Sequence, residues 1–263
     1  MGIFKRDKPD IDKMMKKEDY KGLVQALSHP DPEVRWSAAN ALGRIAVRGV
    51  VFVGAVPKLV ECLDDEDKYV QVSAAEALVR IAEVGAARHV VEAGAVPKLV
   101  ERLDDAHENV RRTAAEALGR IARGGEARAV VSAGAVPKLV KCLDDEKAYV
   151  RRTAAEALAS IAEKGEVRAV VEAGAVPTLV GCLYDADEDV RRTAGEALGA
   201  IFRGFTESVE KELARFRSMG INTEEQERLV RELKESTARK DWEKCAKLVK
   251  ELTSLVTTKN QRN

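Results

Sequence analysis

The chain has 263 residues, a third of them charged, and its 44 Lys and Arg balance its 44 Asp and Glu. That zero sum argues against a polybasic nucleic-acid arm or an acidic tail acting through net charge, and 45% apolar residues argue against global disorder. Aromatics make up only 4% while Ala, Leu and Val dominate the apolar set, so closely approaching helices and an all-α protein are expected.

At the N-terminus no apolar run follows the charges of Lys5, Arg6 and Lys8, so no secretory leader is expected, and Arg6 stands where a myristoylation signal needs Ser or Thr. Residues 1–17 are rich in Lys, and Ile11, Met14 and Met15 predict a short helix that serves as an N-terminal cap or arm. The longest apolar stretches, such as 169–180, are broken by Glu172 and Pro177 and fall short of the roughly 20 residues a membrane helix needs.

From residue 18 to 204 the chain repeats. Ala55-Val56-Pro57-Lys58-Leu59-Val60 returns at 95–100, at 135–140 and, with Thr178 in place of Lys, at 175–180, a period of 40. Residues 85–124 and 125–164 are identical at 27 of 40 positions. Gly94, Gly134 and Gly174 suit the left-handed residue just past a short first helix. Pro97, Pro137 and Pro177 predict the first position of a second helix. Asp64-Asp65, Asp104-Asp105 and Asp144-Asp145 predict caps of a third helix, as does Asp31-Pro32-Glu33 in the first unit.

Five third helices follow, near Val34, Val70, Val110, Val150 and Val190. In the third of them Val110, Ala114, Leu118 and Ile121 make one apolar face. The first unit is irregular, because Leu23 and Leu59 are offset by 36 and the stretch 47–53 is too short for a first helix. It reads as a two-helix, cap-like repeat.

The run Val90-Val91-Glu92-Ala93-Gly94-Ala95-Val96-Pro97, followed by Val110 and the stretch Ala114-Ala115-Glu116-Ala117-Leu118-Gly119-Arg120-Ile121-Ala122, resembles an armadillo repeat. The resemblance covers about residues 50–203. Asp31 to Arg35 with Ala38 to Ala46 is more similar to the related HEAT repeats. Together they imply a right-handed α-solenoid of armadillo/HEAT-like repeats with a C-terminal helical extension, its third helices lining a concave groove that holds an extended peptide.

In that groove the family's Trp positions hold Asn40, Glu76, Glu116, Glu156 and Glu196. Its Asn positions hold Arg44, Arg80, Arg120, Ser160 and Ala200, so the backbone-gripping Asn row is absent. One turn earlier come Trp36, Val72, Arg112, Arg152 and Arg192. Stacking predicts Arg, Glu and Arg rows on the face opposite Leu118, with about 40 Å of groove at roughly 10 Å per helix. A protein or peptide partner with acidic side chains is the expected ligand. Glu116 is also four residues from Arg112 and Arg120, a spacing that gives weak self-paired ion pairs on any solvated helix. Trp36 reads either as a ligand anchor or as a residue packed beneath the N-terminal helix.

No catalytic constellation is present. His29, His89 and His107 fall at non-equivalent repeat positions, and no metal-binding, phosphate-loop or nucleophile motif occurs, so no enzyme, cofactor or metal is expected. An enzyme enters only through the fold analogy of bilin lyases and DNA glycosylases. Nucleic acid is disfavoured because each Arg row is interleaved with Glu. Cys62, Cys142 and Cys182 share one repeat position, held by Arg102 in the third copy, which predicts a partly solvated site. With Cys245 they read as reduced thiols of a cytoplasmic protein. The high internal identity also fits an engineered or consensus-type array with no evolved ligand.

After Ile201 the composition shifts, and residues 205–263 predict three helices. Phe205, Val209, Leu213 and Phe216 mark the first, ended at Gly220, and Thr223 with Gln226 gives a capping-box signal for the second. Trp242, Cys245, Leu248, Val249, Leu252 and Leu255 stripe the third. These helices either cap the last repeat, leaving a monomer, or form a weak dimerisation unit.

Overall fold

The computed structural model describes residues 8–50 and 52–261, with side chains as far as Val256. Residues 1–7, on which the leader and lipid readings fall, lie outside the described residues. The protein is all-α, with no β-strand among the described residues, and it divides into two compact units, 1–133 and 134–263.

The first unit opens with α1 (Ile11–Lys16), α2 (Tyr20–Ala26) and α3 (Pro32–Val47). Ile11, Met14 and Met15 of α1 are half-buried, and α1 packs on α2 and α3, as its apolar spacing predicts. Asp31 caps α3 as expected, accepting the Glu33 amide at 2.9 Å. Among the described residues no first helix follows, only a single 3-10 turn at Val53–Ala55, then α4 (Val56–Glu61) and α5 (Lys68–Ile81). The next repeat has all three helices, α6 (Ala87–Glu92), α7 (Ala95–Arg102) and α8 (Glu108–Ile121), and α9 (Ala127–Ser132) ends the unit.

Without an intervening first helix, α3 lies directly on α5. A Cβ added at Gly43 would sit 3.0 Å from the Ala77 Cα, so backbone meets backbone there. Gly43→Val is expected to cost about 2 kcal/mol, read as a drop in urea stability. Unchanged stability would mean that α3 and α5 separate freely.

The second unit holds α10 (Ala135–Cys142), α11 (Ala148–Ile161), α12 (Val167–Glu172), α13 (Ala175–Cys182), α14 (Glu188–Ser218), α15 (Glu224–Ala238) and α16 (Trp242–Gln261). In both units Leu and Val of the second helices and Ala, Leu and Ile of the third make the core, with Leu59, Leu99, Leu118, Leu139 and Leu158 fully buried.

Three local readings need correction. Gly94, Gly134 and Gly174 are left-handed just past the first helices, as expected, with φ of 79°, 76° and 82°, and each is also the N-cap of the next helix. The second helix therefore restarts at the following Ala, and Pro97, Pro137 and Pro177 sit in its third position, still inside the first turn where no amide partner is lost. The Asp pairs do not cap the third helices either. The N-caps are Asp67, His107, Lys147 and Asp187, while Asp65, Asp105, Asp145 and Asp185 each accept the amide two residues on at 2.8–2.9 Å. Those amides belong to the cap residues, so the acids shape the turn that enters the helix.

The third correction lies at the array's end. α14 runs unbroken for 31 residues, so the last repeat's third helix and the expected tail helix are one. In earlier copies a glycine four residues after the core Ile turns the chain, with φ of 89° at Gly85, 101° at Gly125 and 94° at Gly165. Four residues after Ile201 stands Phe205, which resists that conformation and continues the helix. At the next helix start the Thr223 side chain makes no cap bond but binds the Glu227 carboxylate, and Asn222 accepts the Glu224 amide at 2.9 Å.

The tail packs on the repeat. Trp242 lies against Gly195 and Gly199 of α14, with its ring 6.0 Å from that of Phe202. Gly195 replaces the Ala of the equivalent positions 115 and 155, and a Cβ there would lie 3.8 Å from the indole nitrogen, in ordinary contact. Cys245, Leu248, Val249 and Leu252 are buried as the stripe predicts, but the last buried residue is Val256, with Leu255 half-buried.

Candidate third-helix interface

In the first unit Arg112, Glu116 and Arg120 of α8 and Glu76 and Arg80 of α5 are all half-buried, on the sides of their helices away from the core residues. Arg112 reaches Glu116 at 3.1 Å on its own helix and Glu76 on α5 at 3.6 Å. Arg120 lies 3.2 Å from Glu83 and 3.9 Å from Glu116. Arg80 is 3.9 Å from Glu76, and its Nη1 donates to the Asn40 Oδ1 at 3.5 Å. Repeat periodicity thus brings α3, α5 and α8 into one charge network. Each of these arginines has a carboxylate neighbour.

In the second unit the pairs stay within one helix. Arg152 is 3.9 Å from Glu156, and Arg192 reaches Asp189 at 2.9 Å and Glu196 at 3.2 Å. Glu156, Arg192 and Glu196 are exposed. Ser160 and Ala200, at the lower row, are buried, and the Ser160 hydroxyl donates to the Glu156 carbonyl at 2.9 Å.

The first repeat is different. Trp36 is not packed away beneath α1, being 36% exposed. Trp36, Asn40 and Arg44 line a cleft of about 410 Å³ between α3 and the segment 8–15.

The shared cysteine position is not solvated. Cys62, Cys142 and Cys182 are buried, and the thiols of Cys62 and Cys182 donate weakly to the carbonyls of Leu27 and Leu143 in the preceding helix pair. Burial pushes both thiols up to about 11, so neither is a ready nucleophile. The equivalent Arg102 is accommodated by reaching outward to Asp64 and Asp105, at 3.5 and 3.6 Å. No cluster of three or more His, Cys, Asp or Glu that could hold a metal occurs among the described residues. No helix among them is long and apolar enough to cross a membrane.

The sequence left one row unread, an arginine that ties consecutive repeats together. Arg35 is 8% exposed and reaches both oxygens of Asp65 at 2.7 and 2.8 Å. Arg151 does the same to Asp185 at 2.7 Å. The signal was available, since Arg35, Arg111, Arg151 and Arg191 recur just before the half-exposed row.

A family model of HEAT repeats matches residues 20–95, 96–198 and 136–231. Among solved structures, an engineered protein shares 31% identity over 89% of this chain and 97% of its own, with a TM-score of 0.68. A designed armadillo repeat protein is 31% identical over 87% of this chain and 98% of its own, with a TM-score of 0.66. Another, in complex with the peptide (KR)4, is 31% identical over 89% and 99%, also at 0.66. No curated protein matches the chain.

Proposed function

This chain belongs to the armadillo/HEAT repeat family, and on that premise we propose that it is a non-enzymatic scaffold binding a protein segment along the face of its third helices. The observation that carries this reading is the half-exposed network of Glu76, Arg112, Glu116 and Arg120, which joins neighbouring repeats without being sealed into the core. A similar designed protein is in complex with the basic peptide (KR)4. Acidic side chains of the partner compete with the resident glutamates for the arginines, while the glutamates deter a bare phosphate backbone.

The burial of the apolar stripes of α15 and α16, against each other and against α13 and α14, supports a reading in which these helices cap the last repeat and the chain is a monomer. The four cysteines are buried and joined in no disulfide, which suits a reducing compartment such as the cytoplasm.

Reversing Arg112, Arg152 and Arg192 to Glu is expected to weaken capture of partner from a native lysate at least roughly tenfold while leaving helicity intact. Capture that is unchanged overturns the reading. A second reading is then left standing, a consensus-type repeat array without an evolved ligand. It is favoured by the 27 of 40 identities and by the engineered character of the similar structures.

A further inference from the structure

The first repeat breaks the row pattern along a single helix face. α3 carries Glu33, Trp36, Asn40 and Arg44 at successive turns, so a carboxylate, an indole, a carboxamide and a guanidinium follow one another. All four line the 410 Å³ cleft.

Its two ends differ in charge. Among the described residues Arg44 is the one row arginine that makes no ion pair, and it is exposed. The Asn40 carboxamide spends its oxygen on Arg80. At the other end Glu33 and Asp31 both hold the Lys8 ammonium, at 2.8 Å in the case of Asp31. That end already accommodates a cation, supplied by the chain itself. Asp10 and Asp12 on the opposite wall add negative charge, although Asp10 is engaged with the Lys13 amide at 2.9 Å. The indole face of Trp36 favours a cation too.

We propose that this cleft binds an extended peptide carrying one basic and one acidic side chain about four residues apart. The basic group lies at Glu33 and Trp36, and the carboxylate lies at Arg44. The proposal rests on the third-helix face being a peptide surface and narrows its ligand at one end. The spacing follows from the helix: eight residues separate Trp36 from Arg44, about 12 Å along the axis, which an extended chain spans in roughly four residues. A purely acidic segment leaves Glu33 and Asp12 facing carboxylates, and a purely basic one leaves Arg44 unanswered. The incoming cation displaces Lys8.

The test uses the intact chain and its two tryptophans, Trp36 and Trp242, whose indole N–H resonances are assigned with Trp36→Phe. The probes are capped twelve-residue synthetic peptides of Gly, Ser and Ala with Lys and Glu four apart, with the two adjacent, with two Lys, or with two Glu. The four-apart peptide is expected to shift the Trp36 indole and leave Trp242 unmoved. Arg44→Glu should weaken that response roughly fivefold and transfer it to the two-Lys peptide, and Lys8→Ala should strengthen it. A Trp36 indole that is silent, or that responds equally to the adjacent-charge peptide, overturns the proposal, as does an Arg44→Glu variant that binds unchanged. Titration into the triple reversal of Arg112, Arg152 and Arg192 separates the two ideas. A Trp36 response that survives there keeps the cleft even if the wider face captures nothing, and a silent indole sinks the cleft while lysate capture still decides the wider face.

Discussion

Replacing Arg151 with Ala is expected to lower the stability of the second unit by about 3 kcal/mol at neutral pH, far more than any exposed pair on the third-helix face would cost. The side chain donates to both oxygens of Asp185 and to the carbonyls of Asp145 and Glu146 at 2.7 and 3.2 Å. Its removal leaves an 11% exposed carboxylate and two carbonyls to find water. The effect is pH-dependent with a definite sign. The Arg151 hydrogen bonds hold the Asp185 carboxyl below its ordinary range, so the pair's stabilisation is present above about pH 4 and is lost as pH falls through the depressed value. Urea denaturation of both proteins at neutral pH and in strong acid checks this. The gap should be wide at pH 7 and close in acid, and a gap that persists in acid would mean that Arg151 acts through packing alone.

Deleting residues 222–263 is expected to do still more. It removes α15 and α16 and uncovers part of the α14 face formed by Phe202, Val209, Leu213 and Phe216, each now 4% exposed or less. Burying a large apolar side chain contributes about 1.5–3 kcal/mol, so exposing several approaches the whole stability of a typical domain, about 5–15 kcal/mol. The truncated chain should be insoluble when expressed. A soluble, helical remainder whose oligomeric state differs from that of the full chain would contradict the capping role and support a dimerisation unit, with size-exclusion chromatography as the readout.

The repeat was legible in the sequence because forty-residue copying reinforces every apolar position several times over, as Leu59, Leu99, Leu139 and Leu179 illustrate; all four are fully buried. Boundaries were less legible. A Pro in the first turn of a helix looks the same at position one or three, since neither amide has an intrahelical partner, and an Asp that shapes the entry turn looks like a cap. Of the candidate interface, the facing of Arg112, Glu116 and Arg120 followed from helical periodicity, but their mutual pairing depends on rotamers that spacing does not fix. The tie between Arg151 and Asp185 was hidden because its partners lie 34 residues apart, on different helices. Trp36 resisted prediction for a related reason, as its exposure depends on where α1 lies.

The exchange of a turn glycine for Phe205 carries a consequence for growth of the array. Gly85, Gly125 and Gly165 each instruct the chain to begin another copy, and Phe205 withdraws the instruction once. The stop signal and the Trp242 seat at Gly195 and Gly199 both lie downstream of the 85–124 and 125–164 blocks. A further block duplicated between them would lengthen the protein without disturbing its end. Reach can therefore be inherited separately from termination.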